Sequence, residues 1–286
     1  MNRKQLLIHL LTGFLLLTSQ ITVAVEENLK NDESQAAIQT VLTGHHRSEK
    51  NKSRDIYRHP AETLAFFGLK PNMTVVEIWP GSGWYTEILA PFLRQNGTLY
   101  TAHFSPNMKG RFYRNALNDF HQKIASNPEI YGKVQLTSLL PPHEIDIAPA
   151  GSADLVLTFR NVHNWMLKGE ELNVLKSIYR ALKPGGILGL VEHRENSETE
   201  HDAKARKGYV LQKYVIFMAE KAGFSLLDKS EINSNPNDTK YHPKGVWTLP
   251  PTLKLGEKDK EKYLAIGESD RMTLKFLKPN KVSDNR

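Results

Sequence analysis

The chain has 286 residues, 40% of them hydrophobic and 24% charged, proportions that suit one globular α/β domain with additions better than two full domains. It contains no cysteine, which excludes disulfides, a thiolate nucleophile and cysteine-based metal sites. The formal charge of +7 comes from scattered bases, and the alternating Lys258-Asp259-Lys260-Glu261-Lys262 reads as a solvated helical face, so no nucleic-acid partner is expected.

Met1-Asn2-Arg3-Lys4 is a short basic patch, followed by the apolar run Leu6 to Leu17 and the small-residue step Thr22-Val23-Ala24. That is the layout of a secretory signal peptide, and the apolar run falls short of the roughly 20 residues that span a bilayer. Residues 1–24 are therefore expected to be a cleaved signal, leaving a periplasmic or secreted protein without integral membrane association. Residues 25–59 are expected to form a polar, helical extension on the outside, and residues 60–286 the main domain. Within the extension, His45-His46 reads as a solvated pair, because no second ligand cluster lies at zinc spacing, and no metal site is expected.

From Pro60, which suits a first helical turn, the apolar residues Leu64, Phe66, Phe67 and Leu69 mark a helix that Lys70-Pro71 stops. Met73 to Ile78 is a short β-branched run of buried-strand type, ended by Pro80-Gly81-Ser82-Gly83 and followed by a helix from about Trp84 to Leu93. Gly97 to Ala102 reads as a second strand and Ala153 to Phe159 as another, apolar enough to be buried on both faces. The stretch between them has no clear pattern. A helix over Glu170–Leu182, a turn at Lys183-Pro184-Gly185-Gly186 and a strand over Ile187–Val191 follow. Tyr209 to Ala222 has helical spacing, Phe224 to Leu227 reads as a strand, and Met272 to Phe276 alternates as an edge or antiparallel strand would. Strands alternating with helices predict a parallel sheet whose ligands sit at the carboxyl ends of the strands.

The residues Val75 to Leu89, with Trp79-Pro80-Gly81-Ser82-Gly83-Trp84-Tyr85 at their centre, carry a likeness to a known family. Phe159 to Trp165, Leu182 to Gly186, Val191-Glu192-His193 and Ser269-Asp270-Arg271-Met272 add to it. Over about Pro60 to Pro279 the chain resembles the class I S-adenosylmethionine-dependent methyltransferases, and more closely a family of predicted exported methyltransferases. The resemblance implies a Rossmann-like, doubly wound, mostly parallel sheet of about seven strands and S-adenosylmethionine as cofactor. It places Glu77, Gly81 and Gly83 around the methionine part of that cofactor. Two positions depart from the general pattern: Trp79 stands where a first glycine is usual, and His103 where an acid usually closes the second strand.

Trp79 and His103 are nonetheless expected near the cofactor, the former lining the ligand pocket. Arg160, Asn164 and Glu192 follow the strands where such enzymes place substrate-facing groups, while His163 and His193 are candidates to take a proton from an acceptor oxygen or nitrogen. The expected activity is methyl transfer to a small-molecule acceptor. The alternative is an exported small-ligand-binding protein that keeps the fold without catalysis. A hydrolase lacks both a cysteine and a Gly-x-Ser-x-Gly elbow.

Overall fold

The computed structural model describes residues 33–280; the expected signal segment lies outside them. No helix among the described residues is long and apolar enough to cross a membrane. A helix over 33–43 (α1) leads into α2 (Glu49–Lys52), α3 (Asp55–Arg58) and α4 (Pro60–Phe67). Then come β1 (Thr74–Ile78), α5 (Thr86–Leu93), β2 (Thr98–Phe104), α6 (Arg111–Ser126), α7 (Pro128–Tyr131) and β3 (Gln135–Leu139). The second half holds β4 (Ala153–Phe159), α8 (Val162–Lys168), α9 (Glu171–Ala181), β5 (Leu182–His193), α10 (Gln212–Lys221), β6 (Ser225–Ser230), a 3-10 turn at Gly245–Thr248, α11 (Lys260–Ile266) and β7 (Arg271–Leu277).

The seven strands form one sheet in the order β3-β2-β1-β4-β5-β7-β6. All pairings are parallel except those of β7, which runs antiparallel to both β5 and β6. The expected doubly wound sheet is therefore present. β7 lies inside the sheet rather than at its edge, and its first four residues are buried. The edge on that side is β6, whose residues are mostly exposed.

Successive residues of the central strands feed two cores, one on each face of the sheet. Val75, Leu155 and Leu157 pack with α1, α4 and α5 through Ile38, Leu64, Phe67, Ile88 and Leu89. Val76, Ile78 and Val156 pack with α9 and α10 through Val174, Leu175, Ile178, Val215 and Ala219. Burial on both faces is why these strands read as continuous apolar runs. The expected turn at Lys183–Gly186 is instead a bulge within β5, where the pairing with β4 shifts register.

The extension before Pro60 is no outer appendage. Ile38 is buried against the sheet, and the Arg47 guanidinium, also buried, donates to both oxygens of Asp55 at 2.7 and 2.8 Å. His46 Nε2 sits 2.8 Å from the carbonyl of Glu87, while His45 is exposed. Ile38, Val41 and Leu42, at i, i+3 and i+4 on one face of α1, dock the helix against the core it shares with α4 and α5.

In chain order the strands step outward from β1 to β3, then jump to β4 on the other side. That reversal opens a crevice at the carboxyl ends of β1 and β4.

Candidate functional site

The crevice holds a cavity of about 500 Å³, a volume of the size that encloses a drug-sized ligand. Its floor is the turn after β1. Trp79 closes that strand in the left-handed region, at φ 44°, and Arg160 closes the adjacent β4 at φ 62°. Neither is glycine, and backbone strain of this kind gathers where a fold shapes a site. The amide of Trp79 donates to Ala102. Its indole turns into the core, packed on Phe104 and Trp165 with Nε1 donating to the Leu139 carbonyl at 3.2 Å. Space over the turn is left open in consequence: a side chain at Gly81, itself at φ 60°, would meet nothing within 4 Å. The amides of Gly81 and Ser82 donate to no protein acceptor among the described residues, so they are available to a polar ligand. Gly83 serves packing, for a Cβ there would lie 3.1 Å from Phe120 of α6.

Glu77 lines the cavity floor, buried, and receives the Thr86 hydroxyl at 2.6 Å. Burial pushes its carboxyl up to about 7, against the opposing pull of Thr86 and Lys123. His103, at the end of β2, does not line the cavity. Its Nε2 is 3.0 Å from the Gly81 carbonyl and its Nδ1 accepts from the amide of Phe104 at 2.6 Å. The second contact makes Nε2 the protonated nitrogen, donating to Gly81. Both nitrogens are thereby spent on holding the turn, and burial holds the imidazole down to about 4. A carboxylate does reach the cavity on that side, from the exposed Asp119 of α6.

At the ends of β4 and β5 stand His163, Glu192 and His193. The buried Glu192 accepts from His163 Nδ1 at 3.0 Å and from the backbone amides of His163 and His193 at 3.2 and 2.7 Å. A carboxylate at Nδ1 sets the tautomer, leaving the lone pair on Nε2, toward which Asn164 directs its amide nitrogen at 3.0 Å. His193 Nδ1 is 2.5 Å from the Ser269 hydroxyl. Burial, then the neighbouring His163, Arg271, Arg160 and Arg58, hold the His193 imidazole well below the ordinary histidine value. One atom from each of these three residues lies within 4.8 Å of the others, the one such group among the described residues. Although that spacing suits a metal ion, Glu192 already accepts three hydrogen bonds and three guanidinium groups bear on His193, which favours a proton-handling dyad over a dication.

The remaining wall is basic. Arg54 and Arg58 come from the extension, Arg160 from the end of β4 and Arg271 from the start of β7, with Glu268 among them. Arg54 Nε donates to Glu268 Oε1 at 2.6 Å, while Arg58 Nε at 3.4 Å and Arg271 share Oε2. Burial raises the Glu268 carboxyl, but Arg271, Arg58, Arg160 and Arg54 more than reverse this and hold it below the usual carboxylate range. Arg58 also lies 4.5 Å over the ring of Trp84, a cation–π contact. Burial brings the Arg160 guanidinium down to about 10, with Arg271 adding to the effect.

Of the residues singled out from the sequence, Glu77, Trp79, Gly81, Arg160, His163, Asn164 and His193 line this one cavity. Gly83, His103 and Glu192 support it from behind. Arg54, Arg58, Asp119, Trp247 and Glu268 also line it and were not anticipated. The Arg54/Arg58 spacing of four, one helical turn, was a readable signal. Trp247 lies in an irregular segment with no periodicity to read.

No protein family and no curated protein sequence matches this chain. Solved structures do. An S-adenosylmethionine-dependent methyltransferase from Aquifex aeolicus matches 79% of this chain and 93% of its own, at 17% identity and a TM-score of 0.52. The [4+2]-cyclase SpnF matches over 83% of this chain and 85% of its own, at 17% identity and a TM-score of 0.53. Phosphoethanolamine N-methyltransferase 2 of Haemonchus contortus, solved with S-adenosyl-L-methionine, matches over 78% of this chain and 53% of its own, at 16% identity and a TM-score of 0.50. At such identities the likeness is one of fold: a seven-stranded α/β arrangement shared with S-adenosylmethionine-dependent methyltransferases.

Proposed function

We propose that the protein is an S-adenosylmethionine-dependent methyltransferase acting on a small-molecule acceptor. The observation that carries this reading is that one cavity runs from the open glycine turn at Gly81 to the His163 and His193 imidazoles. A cofactor end and an acceptor end thus share one enclosure. The free amides of Gly81 and Ser82, the open space above Gly81 and the carboxylate of Asp119 fit the cofactor. When bound, it supplies a methyl group already activated on a sulfonium.

The chain's own contribution is positioning and proton removal. As an acceptor oxygen or nitrogen takes up the methyl group, it displaces the Asn164 amide from His163 Nε2 and passes its proton to the lone pair there. The resulting imidazolium is stabilised by Glu192, 3.0 Å from Nδ1. Aromatic residues Trp247, Phe104 and Tyr113 line the same cavity and exclude water.

Titration calorimetry with S-adenosylmethionine tests the reading. Saturable binding, with exclusion by S-adenosylhomocysteine, is expected; absence of binding at millimolar cofactor would sink it. A second reading, a ligand-binding protein on the same fold without catalysis, is favoured by His103, whose ring nitrogens are both taken up where the fold commonly presents an acid. SpnF, a cyclase, matches the same fold, so the fold alone does not decide the chemistry. Transfer of a labelled methyl group to the natively retained ligand separates the two readings.

We further propose that residues 1–24 are a signal peptide and that the mature protein is periplasmic or secreted. The basic, apolar and small-residue order of that segment supports this. Amino-terminal sequencing of the mature chain is expected to begin near Val25; a retained Met1 would refute it.

A further inference from the structure

Four guanidinium groups line one side of the cavity, and a single carboxylate pairs with three of them. Glu268 accepts one hydrogen bond each from Arg54, Arg58 and Arg271, which leaves its partners unsatisfied. Arg54 Nη2, Arg58 Nη2 and Arg271 Nε are buried with no acceptor. Arg160 forms no side-chain hydrogen bond or ion pair among the described residues, although it lines the same wall. Arg58 and Arg271 are each only 3% exposed. Buried like charges with unmet N–H groups are unfavourable until an anion accepts from them. Guanidinium forks match the planar or tetrahedral oxygens of carboxylate and phosphate.

The other cavity carboxylates do not supply that charge. Glu77 is engaged by Thr86 at 2.6 Å, and Asp119 projects from α6. Position assigns the cluster to the acceptor end: Arg271 is the register partner of His193 across β5 and β7, and Ser269, bonded to His193, lies between Glu268 and Arg271 in the chain.

We propose that this arginine cluster is an oxyanion site for the acceptor, which carries a carboxylate or phosphate group that docks here while its nucleophilic O–H or N–H faces His163. The word acceptor rests on the methyl-transfer reading; the anion site rests on the arginines alone.

The test is thermal unfolding and calorimetry of the purified chain with sodium phosphate and sodium benzoate against sodium chloride at matched ionic strength. At least one oxyanion is expected to raise Tm saturably beyond chloride. Arg160→Met, which removes a charge without orphaning a partner, should keep its unliganded Tm at or above the wild-type value while binding that oxyanion at least tenfold more weakly. Arg160→Lys, which restores the charge without the fork, should recover only part of the affinity. No oxyanion effect beyond chloride, or an Arg160→Met response equal to wild type, overturns the proposal. Saturating S-adenosylmethionine and its decarboxylated analogue form a further arm. An oxyanion response that survives both supports the acceptor site. A response abolished by the former but not the latter assigns the cluster to the cofactor's carboxylate and overturns the proposal. If S-adenosylmethionine fails to bind while the oxyanion response stands, the methyl-transfer reading falls and the anion site remains.

Discussion

Glu192 Oε1 receives both the imidazole Nδ1 of His163, at 3.0 Å, and the backbone amide of His193, at 2.7 Å. One buried oxygen therefore fixes the ends of two neighbouring strands and the tautomer of the histidine between them. In Glu192→Gln the amide oxygen still accepts from one backbone amide while the amide nitrogen faces the other, so the fold should lose about 1–3 kcal/mol. The charge that stabilises an imidazolium is gone. Nitrogen-15 NMR of labelled histidines is expected to find wild-type His163 protonated at Nδ1, with S-adenosylmethionine affinity unchanged in the variant and methyl transfer down about 10²-fold or more. Unaltered turnover would show that the dyad is structural.

Trp79 sets two opposing effects at one position. Its left-handed backbone, φ 44°, costs a non-glycine residue roughly 1 kcal/mol. The buried indole, packed on Phe104 and Trp165 and bonded to Leu139, is worth about 3–5 kcal/mol against truncation. Packing wins, so Trp79→Gly should destabilise by about 2–4 kcal/mol in urea titration despite restoring the residue that this turn commonly has. A neutral or stabilising result would mean that the strain is larger than the geometry indicates.

The Glu77 carboxyl, pushed by burial up to about 7, makes stability depend on pH. A raised folded-state pKa stabilises fully below the unfolded value near 4.3 and is lost as pH climbs through about 7. Glu77→Gln keeps an oxygen for the Thr86 hydroxyl and has no charge to bury. Denaturant titrations should find it more stable than wild type at pH 8, by up to about 3 kcal/mol, with no such gain at pH 4.5. A gain of equal size at both values would place the effect outside ionisation.

The parts of this fold that were legible in the sequence are those whose burial is continuous. β1 and β4 are apolar on both faces, and the glycine turn punctuates β1. By contrast, α6 buries only Leu117 and Phe120 among its residues, and the edge strand β3 faces outward over most of its length. Neither leaves a periodic pattern to read. The histidines and Arg160 were found because strand ends are where such sheets bind ligands. Arg54 and Arg58 were not, because their role depends on the extension packing back over the sheet, and only tertiary structure brings them to Glu268 across more than 200 residues of chain. His103 shows the opposite limit: its place at the end of β2 was legible, but its bond to the Gly81 carbonyl was not.

That bond gives His103 a pH dependence opposite in sign to that of Glu77. Burial holds the imidazole down to about 4, so its stabilisation is present above the unfolded value near 6.5 and is lost as pH falls toward 4. Between about pH 4.5 and 6.5, acidification therefore favours the fold through Glu77 and disfavours it through His103. Each contribution is of order 3 kcal/mol at full extent. His193, also held well below the ordinary histidine value, adds to the His103 limb, so wild-type stability should fall on acidification across this window despite the opposing Glu77. His103→Gln, whose amide can still donate to the Gly81 carbonyl, removes one of the two histidine limbs, so its stability should fall less than that of wild type on acidification from pH 6.5 to 4.5. Glu77→Gln removes the opposing limb, and its stability should fall more than that of wild type over the same range. Denaturant midpoints at pH 4.5, 5.5 and 6.5 for the three proteins measure this, and parallel profiles in all three would refute the assignment of either group.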